Sequence, residues 1–504
     1  MDRASGILLP ISALPSPYGI GTLGKAAYAF ADFLHAAGQR YWQLLPLGPT
    51  SYGDSPYQSF STFAGNPYFI DLDLLAEEGL LDKEDLAAAD WGNDPRYVDY
   101  GKIYEVRFDV LRRAFLRGRE RDREAVERFQ AENPWLKNYA LYMAVKAHFG
   151  MKSWLEWPDE AIRVRAPEAV ARYEKELAED VAFYTYLQYL FFKQWGELRE
   201  YIHSLGIRII GDLPIYVAMD SADVWAEPEF FQLGEGNIPT EVSGVPPDYF
   251  SADGQLWGNP LYDYDRMRQD GFGWWIRRVE GASRLFDVIR IDHFRGLESY
   301  WAVPYGAETA REGRWRKGPG MDLVGVLTQW FHGLDIIAED LGFLTPSVFQ
   351  MVEESGFPGM KVLEFAFSAD GESIYLPYHY QENCIVYTGT HDNDTLQGWY
   401  GSMPSWEREF SKRYLGNGHT PREEIHWDFI RAALGSRARL AVIPMQDYLG
   451  LGSEARMNEP STLGNNWKWR LLPGQFDRAL REKCRDLAWV YGRGREKKEE
   501  EKEK

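Results

Sequence analysis

Val288-Ile289-Arg290-Ile291-Asp292-His293-Phe294 is a short apolar run with two charges set into it at alternate positions. On a strand, alternation puts Arg290 and Asp292 on one face and Ile289, Ile291 and His293 on the other. In a barrel of strands, Arg290 and Asp292 then point inward and the isoleucines pack against helices. A buried Asp beside an Arg stays ionised, because the positive charge depresses its pKa. That suits a carboxylate nucleophile. A structural buried ion pair fits these residues equally well.

Seven more runs share this character: Gly6–Leu9, Tyr41–Leu47, Ile207–Ile215, Asp335–Leu341, Lys361–Phe365, Cys384–Thr390 and Leu440–Met445. Short runs of Ile, Leu and Val read as buried strands. Amphipathic helical stretches, such as Lys25–Ala37 and Gln188–Ser204, separate many of them. Strand and helix in alternation specify a parallel sheet, and eight strands specify a closed one. The expected fold class is α/β, a (β/α)8 TIM barrel carrying inserted, mainly helical subdomains and a long active-site loop.

The spacing is uneven. About 160 residues separate the second and third runs, where a barrel needs roughly 30. Most of the excess, about 80–187, is helical in pattern and forms an insertion. Residues 234–263, dense in Gly, Pro, Asp and aromatics without helical period, read as a long loop over the cleft. The expected organisation is one catalytic barrel over 1–492 with these two interruptions, then a charged, disordered tail over 493–504. No internal repeat is visible.

Acidic residues recur at the ends of the runs. Asp212 ends the third, Asp292 the fourth, Glu339 and Asp340 the fifth, and His391, Asp392 and Asp394 follow the seventh. Each has a plainer reading, such as an ion pair or a helix cap at Asp340. Barrel active sites form at that strand end, so together they specify a pit of converging carboxylates. A Glu in a dry site has a raised pKa and can act as a general acid. His391 with its neighbouring acids is also a candidate metal ligand. No second His stands at ligand spacing, so neither a metal nor a cofactor is expected. Phosphorylated substrates would be repelled, whereas a neutral polyol can bond the charged groups and stack on aromatics. Retaining glycosidases place two carboxyl groups about 5 Å apart for such chemistry.

Composition narrows the remaining classes. The chain has 504 residues, 56 Lys+Arg and 76 Asp+Glu, a formal net charge of −20. That opposes nucleic acid and anionic lipid as partners. Cys384 and Cys484 cannot make a disulfide framework or a thiolate metal cluster. No apolar run is long enough to span a membrane. The N-terminus lacks a signal-peptide pattern, so a cytoplasmic location is expected. Gly19-Ile20-Gly21-Thr22-Leu23-Gly24 fits a dinucleotide fingerprint, but Pro15 and Pro17 separate it from the strand. The tight strand-to-helix turn is therefore absent, and the glycines read as turn and helix-start residues.

Several motifs are recognisable. GDSPYQSFSTFAGNPYFIDL (53–72), GDLPIYV (211–217), PPDYFSADGQLWGNPLY (246–262), RIDHFRG (290–296), AEDLG (338–342), THDNDT (390–395) and EARMNEPST (454–462) stand along nearly the whole chain. In these motifs the sequence resembles the amylomaltases, the 4-α-glucanotransferases of glycoside hydrolase family 77, relatives of the α-amylases. The resemblance implies Asp292 as nucleophile, Glu339 as acid/base and Asp392, rather than Asp394, as third carboxylate. It implies sugar contacts from Tyr57, Ser55, Asp212, Arg290, His391, Gln255, Trp257, Asp340, Asn458 and Pro460. At Ser461 the chain departs from the Gly that often follows this Pro in the family. The implied partners are maltooligosaccharides, amylose, maltose and glucose, as donors or acceptors. A predominantly hydrolytic α-glucanase on the same scaffold is the alternative, and a non-catalytic glucan-binding protein would lack one of the three carboxylates.

Overall fold

The computed structural model describes residues 2–494 except 52, 248–250, 343, 369–371 and 417. Strands stand at all eight apolar runs: β1 Ala4–Leu8, β2 Tyr41–Gln43, β3 Arg208–Leu213, β4 Val288–Ile291, β5 Asp335–Ala338, β6 Gly359–Val362, β7 Cys384–Tyr387 and β8 Leu440–Pro444. Their order in the sheet is β6-β7-β8-β1-β2-β3-β4-β5, and each of these neighbouring pairs is parallel. At the remaining seam the Ala338 N–H donates to the Pro358 carbonyl at 3.0 Å and brings the sheet round on itself. The fold is an α/β barrel of the (β/α)8 type.

Alternation sorts the side chains as the pleat requires. Ala4, Leu8, Tyr41, Ile210, Val288, Ile337, Met360, Ile385, Tyr387, Leu440 and Val442 fill the inside, with every strand contributing. Ile7, Trp42, Ile209, Ile289, Ile291, Ile336, Val386 and Ile443 face outward into the core beneath the helices. Asp212 lies within the last pairs of the β3 ladder, whereas the other ladders stop before the apolar runs do, so Asp292, Glu339, Asp340 and Asp392 lie just past the strand ends.

The segment between β2 and β3 is helical, including Tyr100–Gly118, Arg123–Glu132, Trp135–His148 and Pro167–Glu176. Its last helix, Ala178–Ser204, passes through position 187 without a break and leads into β3. The stretch 234–263 differs from the irregular loop that its composition suggests. Glu241–Val245 and Gln255–Pro260 pair antiparallel. Ser299–Pro304 and Arg314–Lys317 extend them into a second, four-stranded sheet. Residues 248–250 of that stretch lie outside the described residues.

Of the tail expected over 493–504, residues 493 and 494 are described. Arg493 is fully buried. Its guanidinium donates to the carbonyls of Leu434, Ala4, Arg439, Ser436 and Ala438 at 2.6–3.3 Å. Arg3 donates to the carbonyls of Ser436, Ala438 and Leu434 as well, so two guanidiniums share the carbonyls that lead into β8. Residues 495–504 lie outside the described residues. Arg493→Met should lower the thermal midpoint, by a loss of about 1–3 kcal/mol for the buried hydrogen bonds removed. Differential scanning calorimetry checks this, with Arg478→Met as the control that should not move. Arg478 pairs with Glu482 on the surface, its side chain 81% accessible. No helix among the described residues is long and apolar enough to cross a membrane.

Candidate functional site

The strand-end acids converge on one mouth of the barrel, around Arg290. Its Nη1 donates to Asp212 Oδ2 at 2.8 Å and lies 3.0 Å from Asp292 Oδ1. Its Nε donates to the sulfur of Met360 at 3.2 Å. Arg290 and Asp212 are buried, while the Asp292 side chain keeps 28% of its accessibility and faces the cleft. The Tyr57 hydroxyl donates to the same Asp212 oxygen. The Tyr57 ring stacks on His391, with centroids 5.0 Å apart and planes 16° apart.

Tyr57 is held there by helix Ala178–Ser204. Gln188 exchanges two hydrogen bonds with the Gly65 backbone, at 2.8 and 2.9 Å. Gln194 does the same with Asp71, at 2.7 and 3.1 Å. Each amide imitates a strand pairing and pins the 53–72 segment against the barrel. Ser55 Oγ accepts from the Tyr57 N–H at 3.2 Å, so it shapes the turn that presents the ring.

Glu339 is 8% exposed. The His293 N–H donates to its Oε2 and the Leu341 N–H to its Oε1, both at 2.7 Å. His293 reaches this position because its φ of 51° turns the chain out of the strand. This ends the alternation that would have sent His293 outward. Its ring instead meets the Trp257 ring edge-on at 4.8 Å. Burial lowers the His293 imidazole to about 3, so it is neutral and can donate or accept.

Burial pushes the Asp292 carboxyl up to about 7; Arg290 opposes this and the charges of Glu339 and Asp212 add to it. Glu339 is also raised by burial, against the pull of Arg290 and its two N–H donors. The expectation that Arg290 depresses Asp292 is thus corrected: desolvation outweighs the guanidinium. The two carboxyls titrate as a pair. Asp292 is the one in direct contact with the cation.

Asp392 Oδ1 accepts from the Asn458 amide at 2.7 Å and lies 3.3 Å from His391 Nε2. Arg456, which the sequence reading passed over, donates to the Asp392 carbonyl at 2.9 Å and to the Asn458 carbonyl at 2.8 Å. Asp394 is engaged elsewhere, by Ser453 Oγ at 2.6 Å and the Thr395 N–H at 2.7 Å. Gln255 Oε1 accepts from Trp257 Nε1 at 3.1 Å, on the second sheet. Pro460 is exposed. Ser461 after it has a φ of 65°, a left-handed conformation that favours Gly.

Asp340, expected among the sugar ligands, has its Oδ1 engaged by the Met360 N–H at 2.6 Å, between β5 and β6. Strand parity carries the reason: consecutive residues face opposite ways, and Glu339 takes the cleft.

Two aromatic groups at the cleft escaped the sequence reading. Trp467 lies 5.8 Å from both Tyr57 and His391. Phe365 and Tyr375 meet edge-to-face at 5.4 Å. Burial raises the Tyr375 hydroxyl, with Asp340 and Glu339 adding, which puts it beside the acids. Nothing local marks one aromatic among 76 as belonging to a site. Among the described residues no group of three or more His, Cys, Asp or Glu side chains could hold a metal ion.

The chain as a whole has counterparts. The family model described as 4-alpha-glucanotransferase matches residues 9–475. A 4-alpha-glucanotransferase of Thermus thermophilus is 51% identical over 486 residues, 94% of this chain and 96% of that protein. One of Clostridium butyricum is 48% identical over 486 residues, 96% and 99% of the two chains. An amylomaltase of Streptococcus agalactiae, solved with acarbose, aligns with a TM-score of 0.95 at 41% identity. That alignment covers 98% of this chain and 100% of the other.

Proposed function

The chain belongs to the 4-alpha-glucanotransferase family, and from that premise we propose that Asp292 is its nucleophile, Glu339 its acid and base, and Asp392 its third carboxylate. The activity is transfer of α-1,4-glucan segments with retention, the double displacement of its family. The Asp292 carboxylate attacks the anomeric carbon as Glu339 gives its proton to the leaving oxygen. A β-glycosyl ester and a shortened glucan result. The 4-hydroxyl of an acceptor then attacks the ester while Glu339 takes its proton back.

Asp212, Arg290, His391 and Asp392 offer bonds to the sugar hydroxyls at the reacting ring, and Tyr57 offers a stacking face. Gln255, Trp257, Asn458 and Pro460 line the approach on either side. Maltooligosaccharides and amylose serve as donors, and glucose, maltose or a longer glucan as acceptor. Acarbose in the Streptococcus agalactiae relative supports this substrate class. The observation that carries the assignment is the Arg290 guanidinium, bonded at once to Asp212 and to Asp292. It gives the mouth one carboxylate kept ready to ionise beside another that keeps its proton.

Transfer requires an ester shielded from water. Trp257, packed on His293 beside Glu339, covers that space from the second sheet. Pure maltotriose tests both points. Transfer gives glucose and oligomers longer than maltotriose, whereas hydrolysis gives only glucose and maltose. Trp257→Ala should raise the hydrolytic share several-fold, about the effect of admitting water to a closed site. An unchanged product ratio would remove Trp257 from the shielding role.

A further inference from the structure

Seven of the eight barrel seams carry a backbone ladder. The eighth, between β5 and β6, does not, and it lies directly under Glu339. There the Ala338 N–H reaches the Pro358 carbonyl at 3.0 Å. One step further along, where a ladder would supply a backbone carbonyl, the Asp340 carboxylate accepts the Met360 N–H at 2.6 Å. Asp340 is 6% exposed. The fit is tight from the other side as well. A Cβ on Gly359 would stand 2.5 Å from Asp340 Oδ2.

Met360 carries this contact onward. Its side chain belongs to the barrel interior, and its sulfur accepts from Arg290 Nε at 3.2 Å. Asp340 is also bonded through the chain to Glu339, whose oxygens are set by the His293 and Leu341 N–H groups. A single carboxylate thus fixes β6 against the strand that carries one reacting group, and through Met360 it bears on the guanidinium that serves the other.

We propose that Asp340 is a positioning residue for transfer: at the open seam its carboxylate replaces a ladder carbonyl, and so holds Glu339 and, through Met360, Arg290 in register. Gly359 is its counterpart, required because any side chain there displaces the carboxylate. The inference rests on the assignment of Glu339 and Asp292 given above. A misplacement of about 1 Å at a reacting group costs about 100-fold in rate, so the seam matters to chemistry more than to binding.

The test compares Asp340→Ala, Asp340→Asn, Gly359→Ala and Glu339→Gln in the full chain, with maltotriose as donor and acceptor. Asp340→Ala and Gly359→Ala should each lower kcat by about 10- to 100-fold with KM little changed. Asp340→Asn keeps an acceptor oxygen and should restore kcat to within a few-fold. It also removes a negative charge that raises Glu339, so Glu339 loses its proton more readily. The alkaline limb of its pH profile should therefore move to lower pH.

A merely structural role predicts lower melting temperatures with kcat and the alkaline limb unchanged. That result overturns the proposal, as does an Asp340→Asn variant no better than Asp340→Ala. Should Asp340→Ala not fold, Gly359→Ala and Asp340→Asn still decide. Glu339→Gln separates the two readings. If it transfers at the wild-type rate, the acid/base assignment fails. If it is inactive while Asp340→Ala is not impaired, only the seam proposal fails.

Discussion

Asp292→Ala and Glu339→Ala should each abolish transfer between maltooligosaccharides, and azide should rescue them with opposite stereochemistry. Loss of the nucleophile removes the covalent route and should cost about 10^4-fold or more in kcat. Loss of the acid/base should cost about 100- to 10^4-fold. With α-maltosyl fluoride as donor the leaving group needs no proton, so Glu339→Ala should still form the ester. Azide then attacks the β-ester and gives α-maltosyl azide. In Asp292→Ala no ester forms, and azide occupies the vacated space beside the anomeric carbon. It attacks the α-fluoride directly and gives β-maltosyl azide. Carbon and proton NMR of the products distinguish the two. If the anomers are exchanged, the roles of the two residues are exchanged; if Asp292→Ala retains transfer without azide, Asp292 is not the nucleophile.

Much of this site was legible because the barrel's order is local. Each strand is a short branched run, and buried parallel strands need little else. Parity alone placed Arg290 inside and Ile289 and Ile291 outside. The second sheet was not legible. Glu241–Val245 and Gln255–Pro260 contain glycines and a proline, and Arg314–Lys317 reads RWRK, which looks like solvated surface. Their pairing is decided by partners up to about 60 residues away, and no local pattern carries that.

The roles of acids proved harder than their places. Parity, applied at Glu339-Asp340 as it was at Arg290-Asp292, separates the two acids; the shared motif had joined them. The direction of the Asp292 shift needed three dimensions. One neighbour, Arg290, is two residues away in sequence, but the enclosing wall and the second carboxyl come from other strands. Desolvation depends on all of them. His293 shows a third limit: its left-handed backbone, which turns its N–H onto Glu339, leaves no trace in the residue type.

Arg290→Met should bring the other large loss, and its pH profile carries more information than its rate. Activity needs Asp292 ionised and Glu339 protonated. It therefore falls as pH drops through the value at which Asp292 gains its proton, and falls again as pH rises through the loss of the Glu339 proton. In the wild-type protein burial places Asp292 at about 7, with Arg290 already opposing it. An opposite charge 3.0 Å away is worth about 5–6 kcal/mol at an effective dielectric near 20. Compensation by solvent and by the remaining groups leaves a rise of about 1–2 units in the acid limb. Arg290 also holds Glu339 down, so the alkaline limb should rise too, and the window in which the correct monoanion exists moves upward, away from neutral pH. At neutral pH the kcat/KM should drop by about 10^3-fold. Arg290→Lys keeps the charge but loses the planar group whose Nη1 reaches both carboxylates while its Nε reaches Met360. It should hold the acid limb near its wild-type position while kcat falls about 10- to 100-fold. The pair of variants thus separates what the charge does from what the geometry does. A Met variant whose acid limb stays in place would mean that Arg290 does not govern the ionisation of Asp292. The bridge to Asp212 would then serve only to hold the sugar-binding carboxylate beneath Tyr57.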